Sequence, residues 1–192
     1  MLGERIIIEQ VKEEVSGTLE LPHSAQKLYE IGRVVAVGDG LISDGKGGQL
    51  KKVMHIKPGE LVWFQINAFM VASNLVNVGG KSHMVVHQHD VLAILKKPQV
   101  KLENFQIAGR WCLLDSWIED TGSRIIIPDT VNKNFTLKES LHFNVYQKGS
   151  QVDNVLVGQE VIPDPKQVQP VKVGDKEFYY IDSSCIYGIV EK

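Results

Sequence analysis

The sequence predicts an all-β protein built as two small, irregular antiparallel barrels in tandem. Three observations lead there. Its apolar segments are short, rich in isoleucine and valine, and cut by glycine and proline turns, with almost no helical periodicity. The stretch Gly122-Ser123-Arg124-Ile125-Ile126-Ile127-Pro128-Asp129 sets three β-branched residues between a glycine and a Pro-Asp turn signal, and a weaker counterpart, Gly17-Thr18-Leu19-Glu20-Leu21-Pro22, stands in the first half. Each follows an acidic, polar stretch, Lys12-Glu13-Glu14-Val15-Ser16 in one case and Trp117-Ile118-Glu119-Asp120-Thr121 in the other. Third, landmark residues recur through the second half at a slowly drifting offset, the mark of a duplicated unit.

Taken in order, the first half reads as strands at Arg5 to Val11, Ile31 to Val37, Leu61 to Ile66, Met84 to His87 and Val91 to Leu95. Between them lie turns at Gly38-Asp39-Gly40 and Lys57-Pro58-Gly59-Glu60. Ser43-Asp44-Gly45-Lys46-Gly47-Gly48-Gln49 has nothing to fill a core and reads as an exposed hairpin tip. Lys96-Lys97-Pro98-Gln99-Val100-Lys101 breaks the strand pattern with charge and proline and reads as a linker, giving units over 1–97 and 102–192.

The second half follows the same plan. Arg5 matches Arg110 at an offset of 105, Pro22 matches Pro128 at 106, and Val37 matches Val145 at 108. Gly59 then matches Gly158 at 99, while Gly79 with Gly174 and Ala93 with Gly188 both stand at 95. Nine residues are therefore absent between Val145 and Gly158, where the first unit carries its glycine-rich hairpin, and four more between Gly158 and Gly174. The second unit is expected to keep the barrel and lose the hairpin.

Composition narrows the function classes. The chain has 192 residues, 43% of them apolar, with a net charge of −2, so there is no basic surplus to favour nucleic acid. Met1 to Arg5 runs straight into Ile6-Ile7-Ile8, and the longest apolar runs, such as Leu61-Val62-Trp63-Phe64, are too short to cross a bilayer. A cytoplasmic protein with no membrane partner is expected. Cys112 and Cys185 sit in apolar segments and read as buried thiols. No phosphate-binding glycine loop follows a strand, and Ser183-Ser184-Cys185 lacks a nucleophile-elbow context, so neither nucleotide binding nor hydrolysis is supported.

Several fragments in order carry a family resemblance. Gly3-Glu4-Arg5-Ile6-Ile7-Ile8, Gly32-Arg33-Val34-Val35-Ala36-Val37-Gly38, Ile56-Lys57-Pro58-Gly59-Glu60-Leu61-Val62 and Asp90-Val91-Leu92-Ala93-Ile94-Leu95 resemble the chaperonin-10 (GroES) co-chaperonins over nearly the whole first half. The second half is similar to them more weakly, through Gly109-Arg110-Trp111-Cys112-Leu113-Leu114, Val155-Leu156-Val157-Gly158-Gln159-Glu160-Val161-Ile162 and Ile186-Tyr187-Gly188-Ile189-Val190. The resemblance implies a tandem co-chaperonin of two GroES-like barrels. It implies a protein that is not an enzyme and needs no cofactor, and that would cap an ATP-driven chaperonin-60 (GroEL-like) ring around a non-native client protein and itself assemble as a homo-oligomeric ring. It further implies that mobile loops dock apolar tripeptides on the chaperonin: Leu19, Glu20 and Leu21 within about 13–24, and Ile125, Ile126 and Ile127 within about 116–130. Glu20 departs from an all-apolar tripeptide, which makes the first loop the weaker anchor. Asp44, Gly45, Lys46 and Gly47 fall on the hairpin that roofs the family's dome.

Two rival readings remain. One is a GroES-like barrel pair reused as a structural or assembly protein that no longer meets a chaperonin, motivated by the lost hairpin and by Glu20. The other is an enzyme or ligand-binding barrel using a histidine cluster: His83, His87 and His89 are evenly spaced and would share one face of a continuous strand, though no cysteine or carboxylate completes a ligand set except Asp90, which would face the other side. Trp63 and Trp111 read as core, Trp117 as a second anchor or a packed side chain, and His23, His55 and His142 have no evident partner.

Overall fold

The computed structural model describes residues 3–11, 29–43, 45–46, 48–65, 74–118 and 141–190. It divides into two compact units, 1–109 and 110–192. In the first, the strands are β1 (Arg5–Val11), β2 (Tyr29–Val37), β3 (Leu41–Ser43), β4 (Gln49–Lys51), β5 (Leu61–Gln65), β6 (Leu75–Val78), β7 (Lys81–His87), β8 (Val91–Leu95) and β9 (Phe105–Ile107). The second contains β10 (Trp111–Ile118), β11 (Leu141–Lys148), β12 (Glu160–Pro163), β13 (Gln169–Val173), β14 (Lys176–Asp182) and β15 (Ile186–Ile189).

All the strand pairs are antiparallel. The first large sheet has the order β6-β7-β1-β2-β5-β8-β9 and the second the order β13-β14-β10-β11-β12-β15, while β3 and β4 pair only with each other. Strand for strand, the two large sheets share one order, and β9 is the extra member. Among the described residues the ladders leave β6, β9, β13 and β15 as edges, so the expected closed barrels are open sheets as far as hydrogen bonding goes.

The alternation of side chains explains where each core lies. Ile6 and Ile8 on β1 point inward and join Val34, Ile56, Val62, Phe64, Val86, Val91 and Ala108. In the second unit Cys112 and Leu114 occupy the same stations, with Phe143, Val145, Val152, Val155, Val161 and Ile181 around them. Burial pushes the Cys112 thiol up to about 12, which leaves it protonated and unreactive at neutral pH. Cys185 is only half-buried, unlike the fully buried thiol expected from its segment.

Hydrogen bonds fix how the two units correspond. Val34 donates to the carbonyl of Glu60 and accepts from Gly59; Val145 donates to the carbonyl of Gln159 and accepts from Gly158. The ladder shifts register between Ile7 and Ile8 in one sheet and between Leu113 and Leu114 in the other. Val34 thus stands to Val145 at an offset of 111, not Val37 at 108, and Arg5 stands to Trp111 at 106, not to Arg110 at 105. With Gly59 and Gly158 at an offset of 99, the shortening between them is twelve residues rather than nine. Identical letters at neighbouring positions had suggested the wrong register; the bulge sets the right one.

The segment read as a linker is a turn inside the first unit. Lys96 donates to the carbonyl of Asn104, and the chain reverses through Lys97 to Lys101 to bring β9 against β8. Lysine and proline do break the strand, but the chain turns back instead of passing to a new unit.

Two places are tight or costly. A Cβ on Gly32 would lie 2.0 Å from the Ile8 methyl and 3.2 Å from both the Glu9 carbonyl and the Phe64 ring, because β2 runs close against Ile8 and Phe64 here. Both ring nitrogens of His55, and Nδ1 of His87, are buried with no hydrogen-bond partner. Burial, the largest effect, holds both imidazoles below the ordinary histidine range; neighbouring Glu60 and Glu4 oppose it at His55, while the nearby His89 reinforces it at His87.

Two expectations follow. Gly32→Ala destabilises the first unit by about 1–3 kcal/mol, read as a lower urea midpoint; an unchanged midpoint contradicts the packing. Below the ordinary histidine pKa of about 6.5, the unfolded chain takes up protons that folded His55 and His87 refuse, so stability is present above that pH and is lost as the pH falls through it. Denaturation followed through Trp63, with Trp111 and Trp117 replaced by phenylalanine, shows this decline, and His55→Leu with His87→Gln flattens it; the same slope in that double variant contradicts the assignment.

Candidate functional site

The two tripeptides expected to dock, Leu19-Glu20-Leu21 and Ile125-Ile126-Ile127, lie within 12–28 and 119–140, outside the described residues. The strands that carry these segments are described. The first segment leaves β1 after Val11, which faces Ile31 on β2. The second leaves β10 after Ile118, which faces Leu141 on β11. Both therefore join the first and second strands of their unit. Facing residues of an antiparallel pair have Cα atoms about 4.5–5.5 Å apart, so each segment departs and returns through a narrow neck.

The two necks are built from different chemistry. Around the first stand Val11, Ile31 and Leu61, with Ile31 and Leu61 buried. At the corresponding stations of the second stand Trp117, His142 and Glu160. The Trp117 and His142 rings stack with centroids 4.4 Å apart and planes 23° apart. His142 Nδ1 lies 2.7 Å from Glu160 Oε1, and the Glu160 residue is only 8% exposed. His142, without an evident partner in the sequence, thus has two in the structure. Trp63 is core, while Trp111 is half-buried and meets Tyr180 edge-on at 5.4 Å.

Of the four hairpin residues, Gly45 and Lys46 are described and exposed, while Asp44 and Gly47 lie outside the described residues. Gly45 has φ +73° with open space around it. At the hairpin's root, Gly40, also at φ +73°, approaches the Lys52 carbonyl so closely that a Cβ would lie 2.2 Å from that oxygen. In the second unit the corresponding span runs from β11 to β12 through two turns. Lys148 Nζ donates to the carbonyls of Val152 and Val155, each at 2.9 Å, and ties this span down while the two valines enter the core.

The histidine ladder does not form. His83 is buried, with Nδ1 2.9 Å from the Lys81 carbonyl. β7 ends at His87 and a 3-10 turn over Gln88–Asp90 carries His89 out of alternation, so its ring meets that of His87 at a tilt of 37° with centroids 3.9 Å apart. Among the described residues no three histidine, cysteine or carboxylate groups are placed to hold a metal ion.

Sequence reasoning missed β9, although Phe105-Gln106-Ile107 has the apolar-polar-apolar alternation of a strand. Phe105 packs edge-on against Trp63 at 5.3 Å and helps to cover β5 and β8. In the second unit the same stations are open. Trp63 is 6% exposed and its counterpart Ile162 54%; Leu92 is 1% exposed and its counterpart Tyr187 70%.

Comparisons with known proteins agree with this fold over the first unit. Residues 1–95 match the family described as Chaperonin 10 Kd subunit. The protein named co-chaperonin GroES of Halalkalibacterium halodurans is 34% identical over 96 residues, spanning 49% of this chain and 95% of that protein. Those of Shouchella clausii and Deinococcus radiodurans are 35% identical over 96 residues and 33% over 98, spanning 49% and 50% of this chain and 95% and 96% of theirs. Members of the family are co-chaperonins rather than enzymes. No helix among the described residues is long and apolar enough to cross a membrane. The first unit carries the match almost end to end, and through residues 1–95 the chain belongs to the chaperonin 10 family.

Proposed function

We propose that this protein is a tandem co-chaperonin, in which each unit offers one docking loop to a chaperonin-60 ring that encloses a non-native client in the cytoplasm. The observation that carries this reading is placement: in both units a tripeptide that follows a glycine, Leu19-Glu20-Leu21 in one and Ile125-Ile126-Ile127 in the other, falls between the first and second strands of a sheet with one common strand order. The reading treats the second unit as a diverged chaperonin-10 domain.

The energetics favour loops acting together. A leucine or isoleucine side chain gains about 1.5–3 kcal/mol when fully buried, and ordering the surrounding polar segment offsets part of that gain. One loop then binds weakly, and several on one assembly bind well. Glu20 lowers the contribution of the first loop, so Ile125, Ile126 and Ile127 form the stronger anchor. The hairpin through Asp44, Gly45, Lys46 and Gly47 serves as a roof segment of the first unit only.

Chains join into a homo-oligomer through the edge at β15, which no strand among the described residues covers. Within the first unit β9 covers the equivalent strand, and the exposed Ile162 and Tyr187 mark where such a cover is missing in the second. Unpaired apolar edges of this kind associate unless charge blocks them.

Two experiments test the reading. Mixed with a purified chaperonin and ADP or ATP, the wild-type chain co-elutes on a sizing column and Ile126→Asp does not; a wild type that never joins the chaperonin under any nucleotide moves the protein to the structural reading. Sedimentation of wild type gives a mass of several chains and Tyr187→Lys lowers it; a monomeric wild type at micromolar concentration contradicts the assembly.

A further inference from the structure

We infer that Trp117, His142 and Glu160 form a clasp that positions the second loop, with His142 as its centre; the inference rests on the docking role proposed for that loop. Trp117 and His142 face each other on the last rung but one before the loop, and Glu160 stands on the next strand opposite Asn144. His142 faces Trp117 across the ladder and reaches Glu160 on the next strand, so one imidazole ties β10, β11 and β12 together where the ladder ends at Ile118 and Leu141.

Nothing in the fold demands these residues. At the same stations the first unit uses Val11, Ile31 and Leu61, and the same strand order forms. A buried carboxylate is disfavoured relative to an apolar side chain unless it is well paired, and it is weak evidence for stability. What a carboxylate, an imidazole and an indole add over three aliphatic groups is direction. A 2.7 Å hydrogen bond fixes the ring plane, and a stacked indole fixes the strand beside it. Aliphatic contacts are non-directional, so the first neck is held by its ladder and by apolar packing, with no side-chain hydrogen bond or ring stack to fix an angle between Val11, Ile31 and Leu61. The clasp therefore holds the departure and return of the second loop at a defined spacing and angle, and reduces the ordering that docking requires.

The test restores the first unit's solution in the second: Trp117→Val, His142→Ile and Glu160→Leu together. Unfolding is followed by circular dichroism, amide exchange is read at Ser116, Ile118 and Phe143 in the free protein, and docking is read as dissociation from a purified chaperonin in ADP. The expected result is an unchanged midpoint, neck exchange faster by about tenfold, the change that losing one stacking or polar contact brings, and faster dissociation. Trp117→Tyr, which keeps an aromatic face for the imidazole, retains slow exchange and slow dissociation. Unchanged exchange in the triple variant overturns the clasp, and fast exchange with wild-type dissociation overturns its positioning role. Should the triple variant unfold, His142→Gln is read in its place against the same outcomes. If wild type does not dock at all, the proposed function fails, and the exchange arm alone then decides whether the clasp exists.

Discussion

An antiparallel ladder that ends at a loop fixes both ends of that loop, and this constraint governs the molecule. β1 with β2 and β10 with β11 each end at a pair of facing residues, so chain segments of very different composition are held at the same station of two similar sheets. The bulge between Ile7 and Ile8, repeated between Leu113 and Leu114, sets which residues of the second strand face inward. Core, neck and loop all follow from that register, because a shift of one residue would exchange the buried and exposed faces.

Around this shared frame the units differ where the frame imposes least. The connection after the second strand carries a hairpin in one unit and a lysine-tied pair of turns in the other, and neither alters the order of the large sheet. The sheet edges differ too: β9 pairs with the outer side of β8, whereas among the described residues no strand pairs with the outer side of β15.

Much of the frame was legible in the sequence, because alternation and turn residues act locally. β1 has the bounds its apolar pattern indicated, and the Lys57-Pro58-Gly59-Glu60 turn forms where proline and glycine place it, closed by Glu60 accepting from the Lys57 amide. What was not legible depends on partners distant in sequence. β6 and β9 are short strands defined by the strand each lies against, and Lys96 to Lys101 looks the same whether the chain turns back or moves on. The alignment of the halves was misread for the same reason: Arg5 with Arg110 and Val37 with Val145 are matches of letters, while the register is a property of hydrogen bonds. His142 gave no signal at all, since its two partners lie 25 residues before it and 18 after. The tripeptides Leu19-Glu20-Leu21 and Ile125-Ile126-Ile127 were read from composition and resemblance, and they lie outside the described residues.

The measurement that bears most directly on the account is amide hydrogen exchange, peptide by peptide, on the full chain bound to a purified chaperonin in ADP and on the free chain. The account predicts new protection over 119–140, weaker protection over 12–28, and little change in the central strands β1 and β10. Protection confined to 12–28, with none gained over 119–140, would contradict the claim that the second unit is a docking domain in its own right.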